Sequence, residues 1–332
     1  MTRTAPIVTI FGGSGFLGRY ITRHLAKAGW RIRVAVRRPN EALFVKPYGA
    51  VGQVEPVQAN IRDDASTRRA IAGSSVVINC VGILQEDSWQ KFDAVQSEGA
   101  ARIARIAAEE AVGQLVHVSA IGADSESESD YARSKSEGEA AVLEAFPGVT
   151  ILRPSIMFGT EDEFFNRFAA MTRLSPVLPV IGADTKFQPV YVDDVAKAAA
   201  RVVEQKITGG VYELGGPEVA TFRELMQKML GVIRRRRLIV NIPFFLARIM
   251  ASILDFVTFA TMGLVPNPAA TRDQVKQLRN DNVASGEHPG LVDLGIEPMH
   301  MDAVLESYLY SYRPHGQFTE LTESARNLRA QE

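Results

Sequence analysis

The chain has 332 residues, 46% hydrophobic and 23% charged, an ordinary balance for a soluble globular protein with room for one large α/β domain and a second lobe. Its 37 Lys and Arg against 38 Asp and Glu leave a net charge of −1, which excludes the strong basic field a nucleic-acid-binding chain uses. A single cysteine, Cys80, excludes a disulfide framework and suits a reducing compartment, and no uninterrupted apolar window of about 18 residues argues for a conventional transmembrane helix.

The first strand is expected within about seven residues of Met1, which leaves no room for a leader peptide ahead of it. Val8 to Phe11 stops at a glycine cluster and passes into a helical pattern. Gly12, Gly15 and Gly18 stand in a G-x-x-G-x-x-G spacing. The first permits the turn, the second lets backbone approach a pyrophosphate, and the third lets helix and strand pack closely. Free helix N–H groups and the positive end of the helix dipole then face the phosphates. This order predicts a dinucleotide site. Arg19 to Gly29 reads as the helix, and Arg31 to Val36 alternates as a second strand. Arg37 and Arg38 follow it, where an acidic residue would hydrogen-bond the adenosine ribose of NAD. Arginine pairs with a 2′-phosphate instead, which points to NADPH (NADP) over NAD.

Val54 to Val57 reads as a third strand before Asn60-Ile61-Arg62-Asp63, and Val76 to Gly82 as a fourth, apolar enough to be buried on both faces. Cys80 within it reads as a small buried hydrophobe with no basic neighbour evident. A long helix is expected from about Trp89 to Ala111, then a fifth strand, Leu115 to Ser119, with His117 as a core residue. Alternating strands and helices predict an α/β doubly wound parallel sheet of Rossmann type. The acidic, serine-rich stretch Asp124 to Asp130 is expected to be mobile. After it a helix opens at Tyr131, capped by Ser129 or Asp130, with Lys135 on the same face. There a nearby ammonium is expected to lower the phenol pKa, making Tyr131 a usable acid or base.

With these residues the chain resembles the short-chain dehydrogenase/reductase superfamily, in its extended and atypical branches. The motifs are the glycine turn, Tyr131-x-x-x-Lys135, Leu152-Arg153-Pro154-Ser155 and Gln188 to Val195. Ile156 to Asp162, Thr271 to Val275 and Asp293 to Ile296 make it similar to the nucleotide-binding accessory subunits of respiratory complex I and their bacterial relatives, to about Pro314. The resemblance implies a tightly held NADPH and a peripheral position among complex I subunits near the quinone site. It also implies the cytoplasmic face of a bacterial inner membrane, or the matrix side for a processed eukaryotic chain. By motif position Gly12, Gly15, Gly18 and Arg37 would hold the phosphates, and Tyr131 and Lys135 the nicotinamide ribose. Ser14, Phe16, Leu17, Arg38, Asn60, Ile61, Val81, Gly82, Ser119 and Pro154 complete the candidate cofactor shell. Active superfamily members place a hydroxyl at the end of strand five. Here Ala120 takes that position, with Ser119 one step early and so turned to the other face, which weakens the case for turnover by Tyr131 and Lys135.

The Rossmann core is expected over residues 1–155. Residues 156–332 would hold the remaining strands (about 187–214) interleaved with a smaller lobe. Thr221 to Glu224 reads as a capping box, and Leu238 to Val240 as a strand. A helix from Pro243 to about Met262 carries Arg248, Ser252 and Asp255 on one stripe and apolar residues elsewhere. It could be buried, dock on a partner, or lie at a lipid headgroup boundary. Arg234, Arg235, Arg236 and Arg237 beside it suit an anionic membrane surface or an acidic partner. No metal-ligand spacing links the histidines. Two functions follow: a non-catalytic NADPH-binding accessory subunit, or an NADPH-dependent reductase or dehydrogenase of a hydrophobic substrate such as a quinone precursor. A sugar-nucleotide epimerase or dehydratase is a third, weakened by the acidic loop beside the site.

Overall fold

The computed structural model describes residues 5–86, 90–260, 271–314 and 316, with the side chains of 253–260 left aside. Six strands lay down the centre: β1 (Ile7–Phe11), β2 (Arg31–Val36), β3 (Val54–Gln58), β4 (Val76–Asn79), β5 (Gln114–Val118) and β6 (Thr150–Pro154). Between them run α1 (Phe16–Lys27), α2 (Asp64–Ile71), α3 (Glu98–Glu109) and α4 (Asp130–Ala145). The chain continues through β7 (Met157–Phe158), α5 (Phe165–Leu174), β8 (Val177–Ile181), β9 (Lys186–Phe187) and β10 (Val190–Tyr191). It then forms α6 (Val192–Glu204), β11 (Val211–Leu214), β12 (Ala220–Thr221), α7 (Phe222–Val232) and β13 (Leu238–Ile242). Three helices close it: α8 (Phe244–Ala260), α9 (Arg272–Gln277) and α10 (Met301–Leu309).

The seven-stranded sheet has the order β11-β6-β5-β4-β1-β2-β3, and every neighbouring pair is parallel. β4 is buried along its whole length, as its unbroken apolar run requires. Alternate residues feed two layers. Val8, Ile10, Ile78, Val116 and Val118 pack with α1 and α6, whereas Phe11, Val77, Leu115 and Ile151 pack with α3 and α4. Strands are added outward in one direction from β1 to β3 and in the other from β4 onward, so the strand order reverses between β1 and β4, the switch point where open α/β sheets leave a crevice at their carboxyl edge.

A separate aromatic cluster forms under α5, α7 and α10, where Phe164 and Phe222 stack with centroids 5.5 Å apart. β7 pairs with β10, β9 with β12 and β8 with β13. The predicted capping box is present: Thr221 accepts from the Glu224 N–H, and Glu224 accepts from the Thr221 N–H.

Two expectations are corrected. The long helix is shorter, since a π-turn over Asp93–Ser97 precedes α3, and Trp89 lies outside the described residues. α4 crosses that turn so closely that a methyl on Gly138 would come within 2.2 Å of the Gln96 carbonyl oxygen. The acidic loop is tied down. Arg133 donates to Ser127 O at 2.6 Å, Lys276 to Glu128 O at 2.9 Å, and Ser129 caps α4.

Candidate nucleotide site

Backbone builds the centre of the site. Gly12 adopts φ +74° after β1, and a methyl there would press on Cys80 and Val81 at the end of β4. Gly18 lies still closer, its notional methyl 2.2 Å from the Gly12 oxygen, so α1 packs directly on the turn. Gly15 is the N-cap of α1 and brings no side chain to it; no acidic residue stands in the first turn. The first bond of this helix's ladder runs from the Arg19 N–H to Gly15 O at 3.1 Å, which leaves the N–H groups of Phe16, Leu17 and Gly18 ahead of it. Ser14 turns its carbonyl to Arg19. Open N–H groups at a helix start with no capping side chain suit an anion.

The other candidate residues fall around that turn at the strand ends. Arg37 and Arg38 leave β2 exposed. Arg38 pairs with Glu41 at 3.0 Å on the exposed surface, whereas Arg37 makes no hydrogen bond or ion pair among the described residues. Asn60 is turned toward α2: its side chain accepts from the Arg62 N–H and its carbonyl from Thr67. Ile61 packs against Gly99 of α3. Val81 donates its N–H to the Asn79 side chain, and Pro154 ends β6 with its oxygen bonded to the Ile121 N–H.

Across the crevice, α4 brings Tyr131 and Lys135 to the sheet. The Lys135 Nζ lies 5.9 Å from the Tyr131 ring centroid and 3.5 Å from Val118 O, and a methyl on Gly82 would come within 3.3 Å of it. Burial lowers the Lys135 ammonium to about 8, against a raising influence from Glu139. The expected activation of Tyr131 is corrected: burial pushes its phenol up to about 12. The ring packs edge-on against Phe92, centroids 5.8 Å apart. Cys80 has a basic neighbour after all. Burial still pushes its thiol up to about 12, with Lys135 acting the other way. It stays a thiol.

Three buried acceptor or donor atoms have no partner among the described residues: Gln96 Oε1, His117 Nε2 and Ser119 Oγ. His117 and Ser119 continue the row of β5 residues that packs toward α4, the side carrying Lys135, and Ala120 follows on the opposite row. Burial and Lys135 together hold His117 down at about 3, so the ring is neutral, with Nδ1 3.2 Å from the Asn79 amide. Buried polar atoms of this kind normally find partners, and these three lie on the side of the sheet that carries Lys135.

Three residues that the sequence marked only as motif members have partners it did not indicate. Glu161 bonds Tyr20 at 2.8 Å and Arg19 at 3.2 Å, joining the turn after β7 to α1. Asp162 is buried, accepts from Tyr308 at 2.5 Å, and is raised by burial. Arg153 of the Leu-Arg-Pro-Ser motif makes a bidentate pair with Glu139 at 2.9 and 2.6 Å, a structural role. None of these has a local spacing signal.

The four arginines do not form one patch. Arg235 and Arg237 donate to Tyr312 O and Thr172 O, whereas Arg234 and Arg236 are exposed. The described part of α8 is not buried all round. Ala247 and Ala251 face inward against Val275, whereas Phe245 and Ile249 are 61% and 53% exposed. Asp255 and Met262 lie outside the described side chains. No helix among the described residues is long and apolar enough to cross a membrane, and no cluster of three His, Cys, Asp or Glu among them could hold a metal.

Comparison with known proteins adds family evidence. Residues 8–215 match the NAD dependent epimerase/dehydratase family. Over 93% of its length the chain is 36% identical to the mitochondrial NADH dehydrogenase [ubiquinone] 1 alpha subcomplex subunit 9 of Arabidopsis thaliana, covering 79% of it. It is 31% identical to the NADH-ubiquinone oxidoreductase 40 kDa subunit of Neurospora crassa, over 93% of this chain and 80% of that one. A ceramide reductase of Caulobacter vibrioides is 33% identical over 73% of this chain and 75% of its own. Among solved structures, an Escherichia coli NADPH-dependent quinone oxidoreductase bound to NADPH superposes with TM-score 0.67 at 20% identity, over 91% of this chain and 98% of that one. A Streptomyces venezuelae dTDP-glucose 4,6-dehydratase bound to NAD gives 0.68 at 18%, over 92% and 96%. These two show the fold.

Proposed function

This chain belongs to the NAD dependent epimerase/dehydratase family, and we propose that within it the chain serves as a nucleotide-holding accessory subunit of an NADH:ubiquinone oxidoreductase. The observation that carries this reading is its identity of 36% and 31%, across nearly its whole length, to subunits of that complex. A shared catalytic core alone would account for the amino-terminal part and not for the rest.

The bound group is NADPH. The N–H groups at the start of α1 receive the pyrophosphate, and Arg37 receives the 2′-phosphate. Ser119, Tyr131 and Lys135 hold the nicotinamide ribose. The nucleotide braces the crevice, and turnover is not its role in this reading, although Ser119 falls on the row of β5 that faces α4 and so leaves a hydroxyl on the side of Tyr131 and Lys135. The subunit sits on the peripheral arm near the quinone site, at the cytoplasmic face of the membrane. Exposed Arg234, Arg236 and the apolar side of α8 meet a partner subunit or an anionic lipid surface there.

A second reading has its own support. The Tyr131–Lys135 pair is retained, and a relative at 33% identity is a ceramide reductase. The chain would then reduce a hydrophobic carbonyl substrate with NADPH as the hydride source. Tyr131, kept protonated by burial, would give the proton to the substrate oxygen.

Native-gel separation of mildly solubilised membranes, with the chain identified in the NADH-oxidising band, tests the first reading. Comigration in stoichiometric amount is expected. A soluble pool absent from that band would overturn it in favour of the reductase.

A further inference from the structure

The N-terminus of α4 is held from outside its own segment. Asp273, in the first turn of α9, accepts from Ser129 Oγ at 2.8 Å, from the Asp130 N–H at 2.7 Å and from the Tyr131 N–H at 3.1 Å. A carboxylate placed there also meets the positive end of the α4 dipole. Gln277, one turn on, donates to the same carboxylate at 3.1 Å and fixes its rotamer. Gln274, beside it, reaches Leu84 O at 3.4 Å, in the loop that follows β4. One short helix therefore touches both walls of the nicotinamide side of the crevice. Its other side packs through Val275 on Ala247 and Ala251 of α8, and Arg272 donates to Ser252 Oγ at 2.7 Å.

We propose that Asp273 is a positioning residue that sets α4, and with it Tyr131 and Lys135, from the carboxyl-terminal part of the chain. The proposal rests on the nucleotide reading of the crevice. Asp273 touches no reacting or bound group; it acts by fixing the first turn of α4, which carries Tyr131 and leads one turn on to Lys135. Through α9 the same carboxylate ties that turn to the helix with the exposed apolar side, so the nucleotide crevice and that surface share one rigid connection.

The test separates the two ends of the ligand. Asp273→Ala should weaken NADPH binding about three- to tenfold, the size of a lost charge at a helix N-terminus with its hydrogen bonds. Binding of adenosine 2′,5′-bisphosphate, which lacks the second ribose and the nicotinamide, should change less than about twofold on the same scale. Asp273→Asn, with one acceptor oxygen left, should fall between, and it serves should the alanine variant not fold. Equal weakening of both ligands would mean a general loss of structure and would overturn the proposal, as would no change in either. Amide hydrogen exchange over residues 129–133 gives a readout without ligand. It should accelerate in Asp273→Ala while exchange over 12–20 stays unchanged, and unchanged exchange at 129–133 overturns the tie. Should the unaltered protein bind neither nucleotide, the nucleotide reading fails, and the exchange result alone decides whether Asp273 holds α4.

Discussion

The carboxyl edge of the sheet and the outer side of α8 are built on opposite principles. At the edge, side chains are withheld: Gly12, Gly15 and Gly18 leave backbone donors open, and nearby His117 and Ser119 are buried with atoms that lack partners. On α8, side chains are in excess: Phe245, Leu246, Ile249 and Met250 stand in solvent while small alanines fill the inner contact. The first surface is polar, with backbone donors left open; the second is apolar and covered by nothing in the described chain. A small charged ligand suits one and a large partner the other. The two surfaces are distinct in chemistry, and α9 is the element that joins them.

The largest effect should come from filling the cradle. Gly18→Ala sets a methyl against the Gly12 oxygen, which is backbone and cannot rotate away. Overpacking of that kind costs about 1–3 kcal/mol, so nucleotide affinity should fall about ten- to a hundredfold by calorimetry. Full affinity in this variant would break the claim that the turn is the phosphate site. Tyr131→Phe sharpens the choice between functions. An accessory subunit should keep its nucleotide and its complex activity, whereas a reductase should lose at least about a hundredfold in turnover. Next comes Arg37→Gln. The only unpaired cation of the two after β2 should account for about tenfold of NADPH affinity and almost none of NADH affinity. Equal loss with both would mean that Arg37 does not read the 2′-phosphate.

The other surface should respond in a different assay. Phe245→Ser with Ile249→Ser removes apolar area that is already in water, so the Tm of the isolated chain should hardly move. Association with the complex or with membranes should drop, and nucleotide affinity should stay within about twofold of normal. A variant that fractionates like the unaltered protein would leave α8 without a docking role. Changing all four arginines is a poorer experiment than the sequence suggests, because Arg235 and Arg237 bond backbone carbonyls and brace the fold.

What could be read from the sequence follows range. The strands β1 to β5, the glycine turn and the Thr221–Glu224 capping box rest on patterns a few residues long, and a periodicity or a cap signal is visible there. The pairing of β8 with β13 joins residues sixty positions apart and left no such trace. Asp273 likewise acts on residues more than 140 positions away. The expected effect of Lys135 on Tyr131 failed for a related reason. Helical spacing fixes which side chains share a face, but the phenol's pKa follows how deeply tertiary packing buries it, and burial won. For α8, composition correctly marked an excess of apolar residues but could not say which side the alanines would turn inward.

A last test addresses the buried polar residue at the end of β5, His117. His117 has a folded-state pKa of about 3 against 6.5 in the unfolded chain, because burial and Lys135 both oppose its charge. Between those values the unfolded chain carries a proton that the folded chain does not, so stability falls as pH falls from 6.5 toward 3. Above 6.5 the ring is neutral in both states and contributes no slope. Lys135 titrates near 8 and above, outside this window. Urea unfolding from pH 7 to 4.5 should therefore show a steeper decline in the unaltered protein than in His117→Asn, the difference approaching about 1.4 kcal/mol per pH unit. The comparison of slopes is insensitive to whatever the substitution costs in packing, which shifts the whole curve. Parallel curves would mean that the ring takes up its proton in the folded state as readily as in the unfolded one. Its surroundings would then be wet, and the unpartnered Nε2 would be served by water and would not mark a place kept for a ligand.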